Sequence, residues 1–221
     1  MNMADTTLTA HYAEKKYEKI SAGRRDGILA LLGNFRDAQI LDVGCANGAL
    51  GEILKKIAPC DITGIEVSTQ AGEDARATLD RVYVFNTEDE GAWPAELRAK
   101  AFDAIIVSEV LEHLFAPEQL LSHLHALSSE HTKVVITVPN ILFWKNRLRI
   151  LLGHFEYEER GLMDRGHIRF FSWNGLAQLI DASGFAVLDT AHHVPTRGTT
   201  RLSKHFPGLF AHNFIVLLQK K

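Results

Sequence analysis

Cysteine is nearly absent from this chain, which has only Cys45 and Cys60 in 221 residues. Two cysteines cannot build a disulfide framework, which excludes the disulfide-stabilised class and favours a reducing compartment. No apolar run approaches the roughly 20 residues that a membrane-spanning helix needs. The opening residues are polar and lack the apolar segment of a secretory signal. These absences predict a cytoplasmic protein without stable membrane insertion.

An excess of basic residues is also missing, since the formal net charge is −3 at pH 7. That charge implies no general attraction to nucleic acid, so no nucleic-acid partner is expected. Hydrophobic residues make up 46% and charged residues 23%, as is usual for a soluble globular chain. With neither an internal repeat nor a low-complexity linker, we predict a single domain over 1–221 that begins with N-terminal helices in 1–35.

Short apolar runs alternate with helical patterns along the chain, which favours a doubly wound α/β sheet. The first five runs are almost continuously apolar, as strands buried on both faces require. No obvious helix separates the last two runs, so they are predicted to form a terminal antiparallel pair. The predicted strands are 39–43, 61–66, 82–85, 103–108, 133–138, 186–191 and 213–219.

The stretch ILDVGCANGALG (40–51) places Asp42 inside an apolar run and small residues directly after it. A small-residue loop between the first strand and the first helix is where open α/β sheets bind cofactors. A dinucleotide loop of the form G-x-G-x-x-G matches poorly, because reading from Gly44 gives Gly44, Ala46 and Ala49. A pyrophosphate gains nothing from Asp42, whereas a cationic ligand does. S-adenosylmethionine carries a sulfonium, an ammonium and no phosphate, so the loop favours that cofactor.

Glu66 ends the second predicted strand, 24 residues after Asp42. A carboxylate at that place can accept hydrogen bonds from both ribose hydroxyls of a nucleoside. Dinucleotide and S-adenosylmethionine folds share this feature, so Glu66 alone does not distinguish them.

Taken together, the motifs resemble those of class I S-adenosylmethionine-dependent methyltransferases. They are D-x-G-x-A-x-G at 42–48, the acid at 66, FNTED at 85–89, FDAIIVSEVLEHL at 102–114 and VVITVPN at 134–140. The resemblance implies a seven-stranded Rossmann-like sheet of order 3-2-1-4-5-7-6 with strand 7 antiparallel. It also implies these cofactor contacts: Asp42, Gly44, Ala46, Asn47, Gly48, Glu66, Val67, Asn86, Thr87, Ser108 and Glu109. Two positions depart from the pattern, with Ala46 where glycine is usual and Asn86 where an acid is more frequent.

A narrower resemblance covers 139–185, which is similar to small bacterial methyltransferases found among sugar-modification and O-antigen genes. It also resembles methyltransferase-like proteins associated with methionine biosynthesis and, more loosely, ubiquinone-pathway O-methyltransferases. These likenesses imply methyl transfer to a hydroxyl of a small metabolite or saccharide. They leave open a non-catalytic partner of a metabolic enzyme. The net charge disfavours an RNA methyltransferase.

Two histidines are candidate catalytic bases, because imidazole can take a proton from a hydroxyl near neutral pH. His113 lies in the motif EVLEHL, and His167 lies between Arg165 and Arg169. Each has a structural alternative, as a packed or hydrogen-bonded side chain. The remaining histidines show no ligand spacing, so no metal site is predicted.

Residues 140–171 form a predicted insertion after the fifth strand, which places it over the cofactor crevice. It mixes basic and acidic residues, which fits either a solvated surface or a lid that binds an anionic acceptor through Arg147, Arg165 and Arg169. Leu148, Leu151 and Leu152 share a helical face, which predicts an amphipathic helix covering the site. The run ILFW (141–144) is more typical of core or homodimer packing than of membrane contact.

Overall fold

The computed structural model describes residues 20–159, 161–194, 203 and 205–221. Residues 1–19, most of the stretch for which N-terminal helices were predicted, lie outside the described residues. The first described helix is α1, Ala22–Leu32.

A seven-stranded sheet of order β3-β2-β1-β4-β5-β7-β6 forms the centre of the molecule. Neighbours from β3 to β5 pair in parallel, whereas β7 runs antiparallel to both β5 and β6. Both the predicted order and the terminal antiparallel pair are confirmed. The strands are β1 (Ala38–Val43), β2 (Cys60–Glu66), β3 (Arg81–Val84), β4 (Ala104–Ser108), β5 (Lys133–Pro139), β6 (Phe185–His193) and β7 (Asn213–Lys220).

Helices cover both faces of the sheet and begin where the sequence offers suitable caps. The side chain of Ser68 accepts a hydrogen bond from the N–H of Ala71, and Ser172 caps a later helix in the same way. Pro117 opens another, where its missing N–H costs nothing. After α1 come α2 (Ala49–Ile57), α3 (Thr69–Ala75), α4 (Ala95–Arg98), α5 (Pro117–Leu127), α6 (Trp144–Leu151), α7 (Trp173–Ala182) and α8 (Pro207–Phe210).

Two apolar cores, one on each face of the sheet, hold the layers together. On one face Leu41 and Val43 pack with side chains of α5 and α7. On the other face Ile40 packs with Leu32 and Leu54. Adjacent residues of β1 therefore serve opposite cores, and this is why the strand is apolar along most of its length. A carboxylate at position 42 of this apolar strand is therefore unexpected and suggests a function.

The predicted insertion contains α6, but the apolar face of this helix does not cover the site. Leu148 is 48% exposed, Leu151 81% and Leu152 66%. The expectation that these leucines pack over the crevice is wrong. The end of the insertion does approach the sheet, because the N–H groups of Ile168 and Arg169 donate to the carbonyl of Glu112. No helix within the described ranges has the length and apolar character needed to cross a bilayer.

Candidate functional site

A cavity of about 700 Å³ opens at the carboxyl ends of β1, β2 and β4. This is the edge at which doubly wound sheets bind their ligands, and the volume lies in the usual range for small-molecule sites. Ten of the eleven residues predicted to contact a cofactor line it, and Gly48 is the exception. Those ten are Asp42, Gly44, Ala46, Asn47, Glu66, Val67, Asn86, Thr87, Ser108 and Glu109.

The loop after β1 turns by placing alternate residues in the left-handed backbone region. The φ angles are 71° at Gly44, 50° at Ala46 and 79° at Gly48. A Cβ atom at position 44 would lie 2.5 Å from Cγ2 of Val110, so only glycine fits there. Ala46 adopts a conformation that costs an L-residue roughly 1–2 kcal/mol. The cluster of small residues is therefore required by the shape of the loop.

Asp42 lies at the floor of this loop and is 2% exposed. Its Oδ2 atom has no hydrogen-bond partner among the described residues. Burial, with a smaller contribution from the charge of Glu66, raises the pKa of Asp42 to about 7. A buried acceptor in the cavity wall, close to its ionisation point, suits a ligand that brings positive charge or hydrogen-bond donors.

Glu66 fastens the loop after β1 to the loop after β2. Its Oε2 accepts the N–H of Ala46 over 2.9 Å, and its Oε1 accepts the N–H of Ser68 over 2.9 Å. The carboxylate is buried at the end of β2. The predicted contact of this carboxylate with ribose hydroxyls stays a prediction beside its structural role.

Asn86 and Thr87 follow β3 and form part of the same wall. The side-chain oxygen of Asn86 accepts the N–H of Glu88 over 3.1 Å. The indole N–H of Trp93 donates to the carbonyl of Thr87 over 3.2 Å. These bonds give the segment a defined turn, and the predicted contact of Asn86 with the cofactor stays a prediction.

Glu109 stands at the carboxyl end of β4 with a left-handed φ of 57°. Its carboxylate pairs with Arg24 of α1 over 3.1 Å and accepts the side-chain N–H groups of Asn213 over 3.1 and 3.0 Å. The hydroxyl of Thr137 donates to it over 2.9 Å. A non-glycine residue held in a strained conformation by several partners is typical of a functional site.

Asn213 connects Glu109 to two histidines of the cavity wall. Its Oδ1 lies 3.1 Å from Nδ1 of His193 and 2.8 Å from Nδ1 of His212. Because an amide oxygen only accepts, each Nδ1 carries the proton and donates. Burial is the main cause that lowers the pKa of His212, so its neutral form is favoured.

His113 and His167, the two candidate bases, lie together in the cavity wall with their ring centroids 4.8 Å apart. Nδ1 of His113 lies 2.8 Å from the carbonyl of Gly166, and Nδ1 of His167 lies 3.1 Å from the carbonyl of Leu162. The later part of the insertion therefore joins the turn after β4 at this point.

Comparison with known families agrees with this geometry. A family described as a methyltransferase domain matches residues 10–190, most of the chain. The chain belongs to this methyltransferase domain family.

Curated relatives of this methyltransferase domain include ubiquinone biosynthesis O-methyltransferases. The protein from Coxiella burnetii (strain RSA 493 / Nine Mile phase I) is 26% identical over 171 residues, which cover 75% of this chain and 71% of the relative. The protein from Photobacterium profundum is 30% identical over 115 residues, or 49% of this chain and 46% of the relative.

Solved structures share the fold of the methyltransferase domain. Magnesium protoporphyrin IX methyltransferase from Synechocystis PCC 6803, determined with bound SAH, has a TM-score of 0.65 at 15% identity and covers 100% of this chain and 96% of its own. A possible histamine N-methyltransferase from Thermotoga maritima has a TM-score of 0.66 at 15% identity and covers 90% and 88%. These neighbours support the fold.

Three arginines were predicted to bind the substrate: Arg147, Arg165 and Arg169. All three are exposed, and none of them lines the cavity. Arg147 donates to the carbonyls of Leu142 and Gly208, and Arg169 donates to the carbonyl of Phe115. The geometry gives these three no contact with the cavity, so the predicted role in binding an anionic acceptor has no structural support. Arg24, by contrast, does line the wall.

The network around Glu109 was not predicted from the sequence. Arg24 comes from α1, His193 and Asn213 come from the last two strands, and His212 directly precedes β7. The register of β6 on β7 pairs His193 with Asn213, and no local sequence pattern reports such a pairing. The sequence offered one signal for this network: His193 and His212 lie next to the ends of predicted strands.

Proposed function

We propose that the chain transfers a methyl group from S-adenosylmethionine to a hydroxyl group of a small metabolite or saccharide. The observation that carries this proposal is the buried Asp42 carboxylate under the left-handed loop, whose Oδ2 lacks a hydrogen-bond partner within the described part of the chain. A cofactor with an ammonium and a sulfonium suits that acceptor, and a phosphate does not. The family match supports methyl transfer, and the curated O-methyltransferase relatives support a hydroxyl acceptor.

The residues present fit this cofactor. Asp42 and the backbone of 44–48 would hold its charged end, while Glu66 and Asn86 would hold the nucleoside. When bound, S-adenosylmethionine supplies an activated methyl group, so the protein has to align the acceptor, exclude water and accommodate the acceptor's proton. Gly161, Asp164 and His167 of the insertion line the cavity, and their presence there would help to exclude water.

His167 and His113 remain the proposed groups for the acceptor's proton. Both lie in the cavity wall, and a backbone carbonyl next to each Nδ1 leaves the lone pair on Nε2. Glu109 and Arg24, which pair with each other in the cavity wall, would contribute to acceptor binding. An anionic acceptor, a homodimer and a cytoplasmic location are further parts of the proposal that rest on the sequence.

Calorimetry with S-adenosylmethionine, followed by a screen of hydroxyl acceptors for release of S-adenosylhomocysteine, tests the proposal. We expect binding by the wild type, weakened about tenfold or more by Asp42→Asn, and no binding of NADH. Asp189→Asn, an exposed position on β6, is the matched control and should bind normally. Equal affinity of Asp42→Asn and wild type would overturn the assignment of the loop. Tight binding without turnover on any acceptor, with a co-purifying enzyme, would favour the non-catalytic partner instead.

A further inference from the structure

A chain of hydrogen bonds in the cavity wall joins the carboxyl end of β4 to the start of β7. The carboxylate of Glu109 accepts the side-chain amide of Asn213, and Oδ1 of Asn213 faces Nδ1 of both His193 and His212. Because β7 runs antiparallel to β5 and pairs Asn213 with Pro139, the start of β7 lies at the carboxyl edge of the parallel strands. All five residues line the cavity, so this chain lies where a substrate would bind.

Glu109 fixes the direction of the Asn213 amide. A carboxylate only accepts hydrogen bonds, so the NH₂ group of Asn213 faces Glu109 and the amide oxygen faces the two imidazoles. The carboxylate is itself held, because Thr137 donates to it over 2.9 Å and Arg24 pairs with it over 3.1 Å. The amide oxygen in turn requires a proton on Nδ1 of each histidine. A neutral imidazole in this chain therefore keeps its lone pair on Nε2.

The two histidines differ in what lies against Nε2. A Cβ atom at Gly23 of α1 would lie 2.3 Å from Cδ2 and 3.0 Å from Nε2 of His193, so the backbone of α1 covers this edge of the ring. Nε2 of His212 forms no hydrogen bond with any residue that the structure describes, and this ring lines the cavity. His193 therefore seats the helix, whereas His212 keeps a lone pair for a ligand.

We propose that His212 accepts the proton of the acceptor hydroxyl, and that Asn213, held by Glu109, is the residue that positions it. This role rests on the proposed function. The acceptor oxygen bonds the methyl carbon as the carbon–sulfur bond breaks, and the electron pair of that bond stays on sulfur in a neutral thioether. The acceptor's proton passes to Nε2 of His212 and from there to solvent.

The charges around His212 suit a base that works near neutral pH. Burial is the main cause that lowers the pKa of His212, so the ring is neutral and able to accept a proton. Three groups from other elements act on it: His193 of β6, Glu109 after β4 and Arg24 of α1. Glu109 favours the imidazolium that forms during the reaction, whereas Arg24 and a protonated His193 oppose it and promote release of the proton.

His113 and His167 are the alternative groups for this proton. Nε2 of His167 lies 3.9 Å from Oε1 of Glu112, which is fully buried, so this nitrogen is directed in part toward the protein interior. Nδ1 of His113 lies 2.8 Å from the carbonyl of Gly166, a bond that fastens the insertion to the turn after β4. The structure favours His212, whose ring is oriented by a side chain bonded to a carboxylate.

Rescue of a truncated variant by added imidazole tests the proposal. The assay follows release of S-adenosylhomocysteine with the best acceptor from a panel of simple alcohols, phenols and methyl glycosides. We expect His212→Ala to lower kcat about a hundredfold or more with S-adenosylmethionine affinity unchanged, and added imidazole to restore at least tenfold. His131→Ala, at an exposed position before β5, should keep the wild-type kcat and should not respond to imidazole.

Two further measurements separate positioning from stability. The kcat of the wild type should fall as the pH drops through the pKa of His212, and His212→Ala should lack this acidic limb. Asn213→Ala should lower kcat about tenfold and move the limb. Nitrogen-15 spectra of the histidine side chains read the tautomer directly: His212 should carry its proton on Nδ1 in the wild type and should show a mixture of tautomers in Asn213→Ala.

Full kcat in His212→Ala would overturn the proposal, as would imidazole rescue confined to His113→Ala or His167→Ala. A wild-type His212 with its proton on Nε2 would also overturn it, and this measurement does not require any variant to fold. Reaction of the wild type with diethyl pyrocarbonate gives a second such test, because His212 should be modified faster than His193. Failure of the proposed function would instead appear as no turnover on any acceptor, with the tautomer and the reactivity of His212 as expected.

Discussion

The backbone N–H of Ala46 donates to Oε2 of Glu66 over 2.9 Å, and this bond joins the loops that follow β1 and β2. The same carboxylate accepts from Ser68. A side chain predicted from sequence as a ligand contact therefore also shapes the loop that surrounds the ligand.

Replacing Glu66 with alanine removes both loop contacts and leaves two backbone N–H groups without their acceptor. We expect S-adenosylmethionine affinity to fall by about 1–3 kcal/mol, together with a lower melting temperature. Calorimetry and thermal unfolding measure the two effects. Glu73→Ala, on the exposed side of α3, should change neither, and a Glu66→Ala protein with wild-type affinity would contradict the role of the carboxylate.

The raised pKa of Asp42 predicts an unusual dependence of the free energy of unfolding on pH. Its folded-state pKa of about 7 lies above its ordinary value of 3.8, so between these values the folded state binds more protons than the unfolded state. The contribution of Asp42 to stability is therefore fully present below pH 4 and is lost as the pH rises through 7. Asp42→Asn should match the wild type near pH 4 and exceed it by a few kcal/mol at pH 8. Denaturant unfolding at both pH values measures this difference.

Bound S-adenosylmethionine should lower the pKa of Asp42, because a nearby cation favours the charged form of a carboxylate. The loss of stability with rising pH should therefore be smaller in the complex. Affinity of the wild type should rise as the pH increases through 7, and affinity of Asp42→Asn should not. Parallel pH profiles for the two proteins would show that Asp42 does not face the charged end of the cofactor.

Ala46 offers a substitution that should stabilise the protein. Its φ of 50° is strained for alanine and unstrained for glycine. Ala46→Gly should therefore raise the free energy of unfolding by up to about 1 kcal/mol, after the entropic cost of glycine is subtracted. Ala177→Gly, inside α7, should lower it by roughly the same amount. A loss of stability in Ala46→Gly would contradict the strain.

Asn213 is expected to hold the network of Glu109 and the two histidines together. Asn213→Ala removes its amide from Glu109, His193 and His212. We expect a loss of about 1–3 kcal/mol in the free energy of unfolding, because buried polar partners are left unsatisfied. Asn34→Ala, at an exposed position after α1, serves as the comparison. Equal stability of the two variants would show that the network contributes nothing.

The sequence by itself determined the strands, several helix starts and the loop after β1. These features depend on neighbouring residues: the apolar runs of β1 and β4, the capping side chains of Ser68 and Ser172, and small residues where the backbone is left-handed. Such local preferences act over a few residues and are readable in the chain. The sheet order was available through resemblance to a family, since local patterns do not state which strands pair.

Only the tertiary structure decided which distant side chains meet. Arg24, Glu109 and Asn213 come from three different elements, and His167 reaches His113 because the insertion folds back onto the turn after β4. The helix α6 shows the same limit, because the spacing of Leu148, Leu151 and Leu152 reports an apolar face but not what lies against it. Contacts between elements depend on the packing of the whole sheet and its helices, and that packing has no signature within any single segment.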